Sequence, residues 1–117
     1  MATILIVEDE NQVRVFAESY LRRQGHRTIS AATVAEALAL IEAVEGVDVL
    51  FSEIRLNDDA LAGVRLAKHA ARRRPGIKVV YAAEREFTDG LKSLLVAPVA
   101  VLAKPFTVGD LRNALGM

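Results

Sequence analysis

Short apolar runs and segments of helical periodicity alternate five times along this chain. The runs are too short for helices, and all but a weaker one at 27–31 are largely apolar, which favours strands covered on both faces. We place these strands at 3–7, 27–31, 48–52, 77–81 and 98–103. Between them, apolar residues recur every three or four positions, which predicts helices at 11–24, from Thr33 to Gly46, from Leu61 to the residue before Pro75, within 85–95 and after Thr107.

Five strand and helix units joined by a few residues predict a parallel sheet with right-handed crossovers. We expect an α/β fold of the flavodoxin-like (βα)5 type, a three-layer sandwich with strand order 2-1-3-4-5 and its switch point between strands one and three. At 117 residues and 52% apolar composition, the chain predicts one domain over 1–117, with no output domain after the last helix.

Local capping signals mark two helix starts. Thr33 and Glu36 have the spacing of a capping box, in which the hydroxyl accepts from a backbone N–H and the acidic side chain reaches back. Thr107 is placed to cap the last helix, with Phe106 and Leu111 spaced as a hydrophobic staple around that cap.

The charge balance argues against direct nucleic-acid binding. Lys and Arg number 15, as do Asp and Glu, and the sequence has no basic stripe of the kind that nucleic-acid binders carry. The basic run 72–74 stands at the end of a predicted helix, where cations complement the helix dipole. His26 and His69 have no partner at metal-ligand spacing, so we expect both to be solvated.

Cysteine content and hydropathy exclude further classes of protein. The chain has no cysteine, which excludes disulfides and thiolate chemistry. It has no apolar stretch near the roughly 20 residues that span a bilayer, so we expect no membrane insertion. The start leads straight into a strand with no basic leader, which favours a cytoplasmic location.

Charged residues follow three of the predicted strands. Glu8 and Asp9 come after the first strand, Glu53 after the third and Lys104 after the fifth. These side chains should converge at the carboxyl edge of a parallel sheet, where such folds bind ligands. Carboxylates beside an ammonium suit a hard divalent cation and a phosphoryl group.

The order and spacing of these residues resemble the receiver domain of two-component response regulators, over essentially the whole chain. The resemblance is carried by Glu8-Asp9, by the stretch 48–56 and by Lys104-Pro105-Phe106. It implies a non-enzymatic signalling domain that works with a sensor histidine kinase or another signalling protein. It also implies a cis bond before Pro105, as is usual in the family.

The resemblance assigns a role to each matching position. Glu53 falls at the phosphoacceptor position, and Lys104 is the catalytic charge that pairs with the acceptor or the phosphoryl group. The switch positions are Ala82 and Val101. The magnesium set consists of Glu8, Asp9, Glu53 and Arg55.

Three of these positions depart from the family pattern. The acceptor is glutamate instead of aspartate, so its carboxylate sits about 1–1.5 Å further out and we expect weak Mg²⁺ binding and poor phosphorylation. Ala82 lacks the hydroxyl that normally holds a phosphoryl oxygen, and Val101 lacks the aromatic ring that reports the switch. A degenerate, phosphorylation-independent receiver is the favoured interpretation.

The loop after Glu53 is also unusual. Asn57 stands where the family has proline, and Asp58 and Asp59 offer an alternative acceptor or metal ligand. Capping of the third helix is the favoured role of these two acids. Ser52 alternates with Glu53 along the strand and is expected in the core.

Three functions stay open. The chain is a receiver that docks constitutively on a partner, a working phosphoacceptor for a histidine kinase, or a small-ligand binder or enzyme on the same fold. In the first case we expect the face formed by the fourth helix, the fifth strand and the last helix to dock on a partner or a second copy as a homodimer. Pro98 and Val101 are its expected exposed apolar residues.

Overall fold

The computed structural model describes residues 1–84, 95 and 100–116. The described helices and strands, in chain order, are β1 (Thr3–Val7), α1 (Asn11–Arg23), β2 (Arg27–Ala31), α2 (Val34–Ala43), β3 (Val49–Glu53), α3 (Ala62–Arg73), β4 (Lys78–Glu84), β5 (Val101–Lys104) and α4 (Val108–Leu115). The helix predicted within 85–95 lies outside the described residues except for Leu95, which is buried, and Pro98 lies outside them as well.

The strands form one parallel sheet in the order β2-β1-β3-β4-β5, which confirms the predicted topology. Alternate residues of β1 face opposite layers. Leu5 and Val7 belong to the cluster packed against α2 and α3, whereas Ile4 and Ile6 belong to the cluster packed against α1 and α4. Both faces of β1 are therefore covered, as its continuous apolar run predicts.

The two helix caps form largely as expected. The Thr33 hydroxyl accepts from the Glu36 N–H at 3.2 Å. The Glu36 carboxylate reaches back to the N–H of Ala32 at 2.8 Å, one residue earlier than a capping box requires. Thr107 and Asp110 make the full reciprocal box at the start of α4. Helix α2 ends at Ala43, earlier than predicted.

The basic run at the end of α3 ties that helix to α2. Arg73 makes a two-pronged contact with Glu42, at 2.8 and 2.5 Å. Arg74 donates to the carbonyls of Ile41 at 2.9 Å and Val44 at 3.2 Å, which satisfies acceptors at the end of α2. These arginines therefore do more than complement the dipole of their own helix.

Both histidines are partly exposed, and each also has a protein partner that the sequence analysis did not foresee. His69 Nε2 lies 3.4 Å from Glu42 Oε1. His26 Nδ1 accepts from the backbone N–H of Ala2 at 3.0 Å, which ties the chain start to the turn after α1. Neither pairing follows from spacing along the chain, because each partner comes from a different element.

A glycine sets how closely α3 approaches the end of β3. A Cβ at Gly63 would overlap the backbone carbonyl of Glu53, and the Gly63 N–H donates to the Ile54 carbonyl at 2.8 Å. Only a residue without a side chain allows this approach, which places the start of α3 behind Glu53. In the described part of the chain, the helices are too short or too polar to cross a membrane.

Candidate functional site

The carboxyl edge of the sheet brings together residues from the ends of β1, β3 and β5. Glu8 follows β1 directly, Glu53 ends β3 and Lys104 ends β5. The parallel register aligns Val7 with Ser52 and Glu84 with Lys104, which keeps these ends level. Side chains that are far apart in the sequence therefore meet at one place.

The Lys104 ammonium lies among three carboxylates. Its Nζ is 2.7 Å from Glu53 Oε2, 2.8 Å from Glu8 Oε1 and 3.1 Å from Glu10 Oε1. Glu8, Glu53 and Lys104 are only 3%, 4% and 9% exposed, while Glu10 lies at the surface. The Lys104–Pro105 peptide bond is cis, as the resemblance implies.

The contact between Lys104 and Glu53 is an ion pair without aligned hydrogen-bond geometry. Glu53 Oε2 is buried and has no hydrogen-bond partner, although the ammonium is 2.7 Å away. By contrast, the contact of Lys104 with Glu10 meets hydrogen-bond geometry at 3.1 Å. The position of the ammonium is thus a compromise among several oxygens.

Burial dominates the electrostatics of this cluster. Burial raises the pKa of Glu53 to about 8, because the nearby Glu8 charge adds to the desolvation and contact with Lys104 only partly offsets it. Burial also raises the pKa of Glu8 against the opposing effect of Lys104. Burial opposes the charge of Lys104, but contacts with Glu53 and Glu8 outweigh that effect and raise the pKa of the ammonium. At neutral pH the Glu53 carboxyl group therefore carries less than its full negative charge.

The residues present do not fit a magnesium ion. Lys104 contacts both Glu8 and Glu53, and Asp9 Oδ2 accepts from the N–H of Asn57 at 3.0 Å. Within residues 1–84, 95 and 100–116, no group of three acidic or histidine side chains is placed to hold a metal. The magnesium set, including the exposed Arg55, stays a prediction that this geometry does not support.

A small cleft does open beside the ion pairs. It has a volume of about 200 Å³ and is lined by Asp9, Glu10, Glu53, Arg55, Asp58 and Glu84. Nearly all of these side chains are acidic, so the cleft carries a negative potential that attracts cations in general.

The two predicted switch positions lie close to the site. Ala82 is buried and pairs with Glu53 across β3 and β4, and its carbonyl accepts from the Ile54 N–H at 2.9 Å. Val101 begins β5 and is partly buried against the core cluster that faces α2 and α3. Their roles in a switch remain predictions.

The loop after β3 is a tight turn held to the site. Leu56 and Asp59 exchange backbone hydrogen bonds at 3.1 and 3.0 Å, and Asn57 and Asp58 adopt positive φ angles of 51° and 67°. Asn and Asp tolerate this left-handed conformation better than most residues. The proline that the family has at position 57 could not adopt it.

The two loop acids have different surroundings. Asp59 Oδ1 accepts from the Leu61 N–H at 3.2 Å, next to the start of α3, and Oδ2 pairs with Arg65. The expected capping role is not confirmed, because the N-cap of α3 is Leu61 and no side chain in the described part of the protein caps this helix. Asp58 lies exposed on the rim of the cleft. Ser52 is fully buried, as expected, and donates to the Glu53 carbonyl at 3.0 Å.

Two site residues were missed by sequence reasoning. Glu10 contacts Lys104, and its N–H donates to Glu8 Oε2 at 3.1 Å. Arg14 donates to the Glu8 carbonyl at 2.8 Å. The continuous acidic run 8–10 was the available signal for Glu10, since the start of a helix can aim several consecutive acids at one sheet edge.

An aromatic group adjoins the ion pairs. The ring of Phe106 lies 5.8 Å from that of Phe51 and 6.0 Å from that of Phe16. A cavity of about 380 Å³ opens between α1 and the end of β5, and Phe16, Lys104 and Phe106 are among its lining residues. The cavity therefore brings aromatic side chains next to Lys104.

Comparisons with known proteins agree with this geometry. Residues 4–116 match the response regulator receiver domain family. The chain is 32% identical to the sensor kinase CckA of Brucella abortus (strain 2308), covering 97% of this chain and 12% of the kinase. It is 29% identical to the KDP operon transcriptional regulatory protein KdpE of Escherichia coli (strain K12), covering 98% of this chain and 50% of that protein. The chain thus spans half or less of both relatives.

A solved structure has the same fold. A response regulator receiver protein from Sinorhizobium medicae WSM419 superposes with a TM-score of 0.88 at 25% identity, covering 98% of this chain and 91% of that one.

Proposed function

Because the chain belongs to the response regulator receiver domain family, we propose that its signalling does not depend on phosphorylation of Glu53. Domains of this family act in two-component signalling and typically bind Mg²⁺ at the phosphorylation site. The observation that carries the proposal is the buried ion pair in which Lys104 Nζ lies 2.7 Å from Glu53 Oε2. The side chain at the acceptor position is therefore longer than an aspartate and is already paired with Lys104.

The surroundings of Glu53 oppose phosphoryl transfer in two further ways. Its pKa is raised to about 8, because burial disfavours the charged carboxylate, which is the form that would act as the nucleophile. The neighbouring Ala82 has no hydroxyl to hold a transferring oxygen. Transfer requires the reacting atoms to be held in line, and a misplacement of about 1 Å lowers the rate by roughly a hundredfold.

We propose that the output is constitutive docking on a signalling protein. The sequence relatives named above include a sensor kinase and a transcriptional regulator, which supports a kinase or another signalling protein as the partner. A docking face around β5 and α4 is supported by the partial exposure of Val101 and by Val108, which is 37% exposed. Self-association through this face is part of the same proposal.

The experiment that tests the proposal is incubation with acetyl phosphate and Mg²⁺, followed by intact mass measurement. We expect the wild-type chain to stay unmodified. Glu53→Asp is the matched variant, because it shortens the side chain and withdraws the carboxylate from Lys104 while leaving Glu8 and Lys104 in place. We expect this variant to gain a slow adduct of one phosphate. A stable adduct on the wild type would defeat the proposal.

A working phosphoacceptor is the second candidate, and one observation favours it. Asp58 is exposed on the rim of the acidic cleft and so is accessible to a phosphoryl donor. If the wild type gains a phosphate, the adduct should disappear in Asp58→Asn and persist in Asp59→Asn, since Asp59 is held by Leu61 and Arg65. Membership of a signalling family weighs against the enzyme alternative.

A further inference from the structure

A second cavity lies at the other end of the molecule, between the ends of α1 and α4. It has a volume of about 210 Å³ and is lined by Tyr20, Leu21, Gln24, His26, Arg112 and Leu115. Because each helix runs back along the parallel sheet, both helices end at the amino edge, opposite Glu53. We propose that this cavity binds a small carboxylate that carries an apolar or aromatic group. Binding here is independent of the proposed function, since the lining residues and the cluster around Lys104 are separate sets.

The hydrogen bond of His26 determines which ring nitrogen carries a proton. His26 Nδ1 accepts from the Ala2 N–H at 3.0 Å, so Nδ1 is unprotonated. In the neutral imidazole the proton then lies on Nε2, which is a hydrogen-bond donor. The backbone N–H of His26 donates to the Leu21 carbonyl at 3.1 Å, which anchors this residue to the end of α1. His26 therefore brings a held N–H donor to the lining of the cavity.

Three further lining residues carry donors without an acceptor in the described part of the chain. Tyr20 is only 7% exposed, and its hydroxyl makes no hydrogen bond within residues 1–84, 95 and 100–116. A buried tyrosine hydroxyl usually has a partner. The side chains of Gln24 and Arg112 also make no hydrogen bond or ion pair to those residues. A guanidinium that has no acidic partner suits a carboxylate, which it binds with two parallel N–H donors.

The charges around the cavity favour an anion. None of the described residues that line it is acidic. The ends of α1 and α4 oppose an anion, because each helix end carries a partial negative charge of about half an elementary charge. Lys78 Nζ donates to the Leu115 carbonyl at 2.7 Å and so places a full positive charge at the end of α4. Together with the Arg112 guanidinium, this ammonium outweighs the partial charges of the two helix ends.

The apolar part of the lining selects among anions. Leu21 and Leu115 are 1% and 3% exposed, and the ring of Tyr20 packs in the same core cluster. Apolar cavities of about 150 Å³ in other proteins hold benzene, so about 210 Å³ leaves room for a ring and a carboxylate. Pockets for drug-sized ligands are larger, about 300–1,000 Å³. A small ligand with one carboxylate and one apolar group therefore matches both the size and the chemistry.

The experiment is a titration of the wild-type chain with benzoate, followed by amide NMR shifts. Benzamide is the matched neutral probe, because it has nearly the same shape and no charge, and inorganic phosphate is an anion without an apolar group. We expect benzoate to shift the amide signals of Gln24, His26 and Arg112 in a saturable way. We expect it to bind at least about tenfold more tightly than benzamide or phosphate. The absence of a saturable shift, or equal binding of either other probe, would overturn the inference.

Three variants make the result specific. Arg112→Met removes the guanidinium, and we expect benzoate to bind at least about tenfold more weakly. Arg23→Met is the matched control, since it removes an exposed arginine from the last turn of α1 that does not line the cavity, and it should bind like the wild type. Tyr20→Phe keeps the ring in the core and removes only the hydroxyl, so it gives a folded test with binding weakened by about three- to tenfold. Unchanged binding in Arg112→Met or Tyr20→Phe, or an equal loss in Arg23→Met, would refute a site at this cavity.

Discussion

Two ion-pair clusters in this molecule have similarly short contacts, but the difference in burial shifts their carboxylate pKa values in opposite directions. Lys104 and Glu53 are 2.7 Å apart with side chains 8% and 4% exposed, whereas Arg73 and Glu42 are 2.5 Å apart with side chains 56% and 46% exposed. Burial raises the pKa of Glu53 to about 8, while the hydrogen bond from Arg73 lowers the pKa of Glu42. Solvent and neighbouring charge, and not the distance between partners, decide which carboxylate stays charged.

Removing the cation should give the largest difference in stability between the two clusters. Lys104→Met leaves Glu8 and Glu53 buried without a cation, and we expect the free energy of unfolding to fall by about 3–5 kcal/mol. Arg73→Met exposes Glu42 to water, which solvates it, so we expect a much smaller loss. Urea denaturation of both variants at neutral pH checks this, and equal losses would contradict the comparison.

The close approach of α3 to the end of β3 should not tolerate a side chain at position 63. Gly63→Ala brings a Cβ against the Glu53 carbonyl, and we expect a loss of about 1–3 kcal/mol from overpacking. Gly109→Ala in α4 is the matched control, since a Cβ there makes only an ordinary contact of 3.7 Å with the Thr107 hydroxyl. The control should be neutral or slightly stabilising, because alanine favours helices. A control that loses as much as Gly63→Ala would refute the steric explanation.

The raised pKa of Glu53 predicts the sign of a pH dependence. The unfolded chain releases this proton near 4.5 and the folded chain near about 8, so the folded state binds more protons between these values. Stability therefore falls as pH rises through this window and the loss is complete above it. At about 1.4 kcal/mol per pKa unit, this window corresponds to a decrease of a few kcal/mol. The same decrease should be absent from Glu53→Gln, which has no proton to lose.

Unfolding curves for wild type and Glu53→Gln across that pH range provide the measurement. The stability of Glu53→Gln relative to wild type should increase with pH. Parallel pH profiles would show that Glu53 does not titrate in the window. Other interactions would then offset the cost of burying its charge.

The exposed pair of Arg73 and Glu42 should give a pH dependence of stability with the opposite sign. Its effect should be the smallest. The pKa of Glu42 is lowered, so its contribution to stability is present above about 4.5 and disappears as pH falls through the folded value. Glu42→Gln should lose a little stability at neutral pH, less at high salt, and nothing in acid. Chemical denaturation at two salt concentrations is sufficient, and a salt-independent loss would argue for a packing effect.

The sheet order, most element positions and the helix caps were accessible from the chain alone. The apolar run of β1 and the Thr107–Asp110 box depend on residues close together in sequence, so local pattern suffices to predict them. The convergence of Glu8, Glu53 and Lys104 followed from one additional rule, that parallel strands share a carboxyl edge.

The tertiary structure decided what those groups do to each other. Lys104 and Glu10 are 94 residues apart, and the link from Arg74 to the Ile41 carbonyl spans 33 residues, so neither contact has a signal in local spacing. The pKa of Glu53 depends on how completely β1, β3 and β5 exclude water around it. Desolvation is a property of the packed layers, and for that reason the sequence could predict the charged residues of the site but not their charge states.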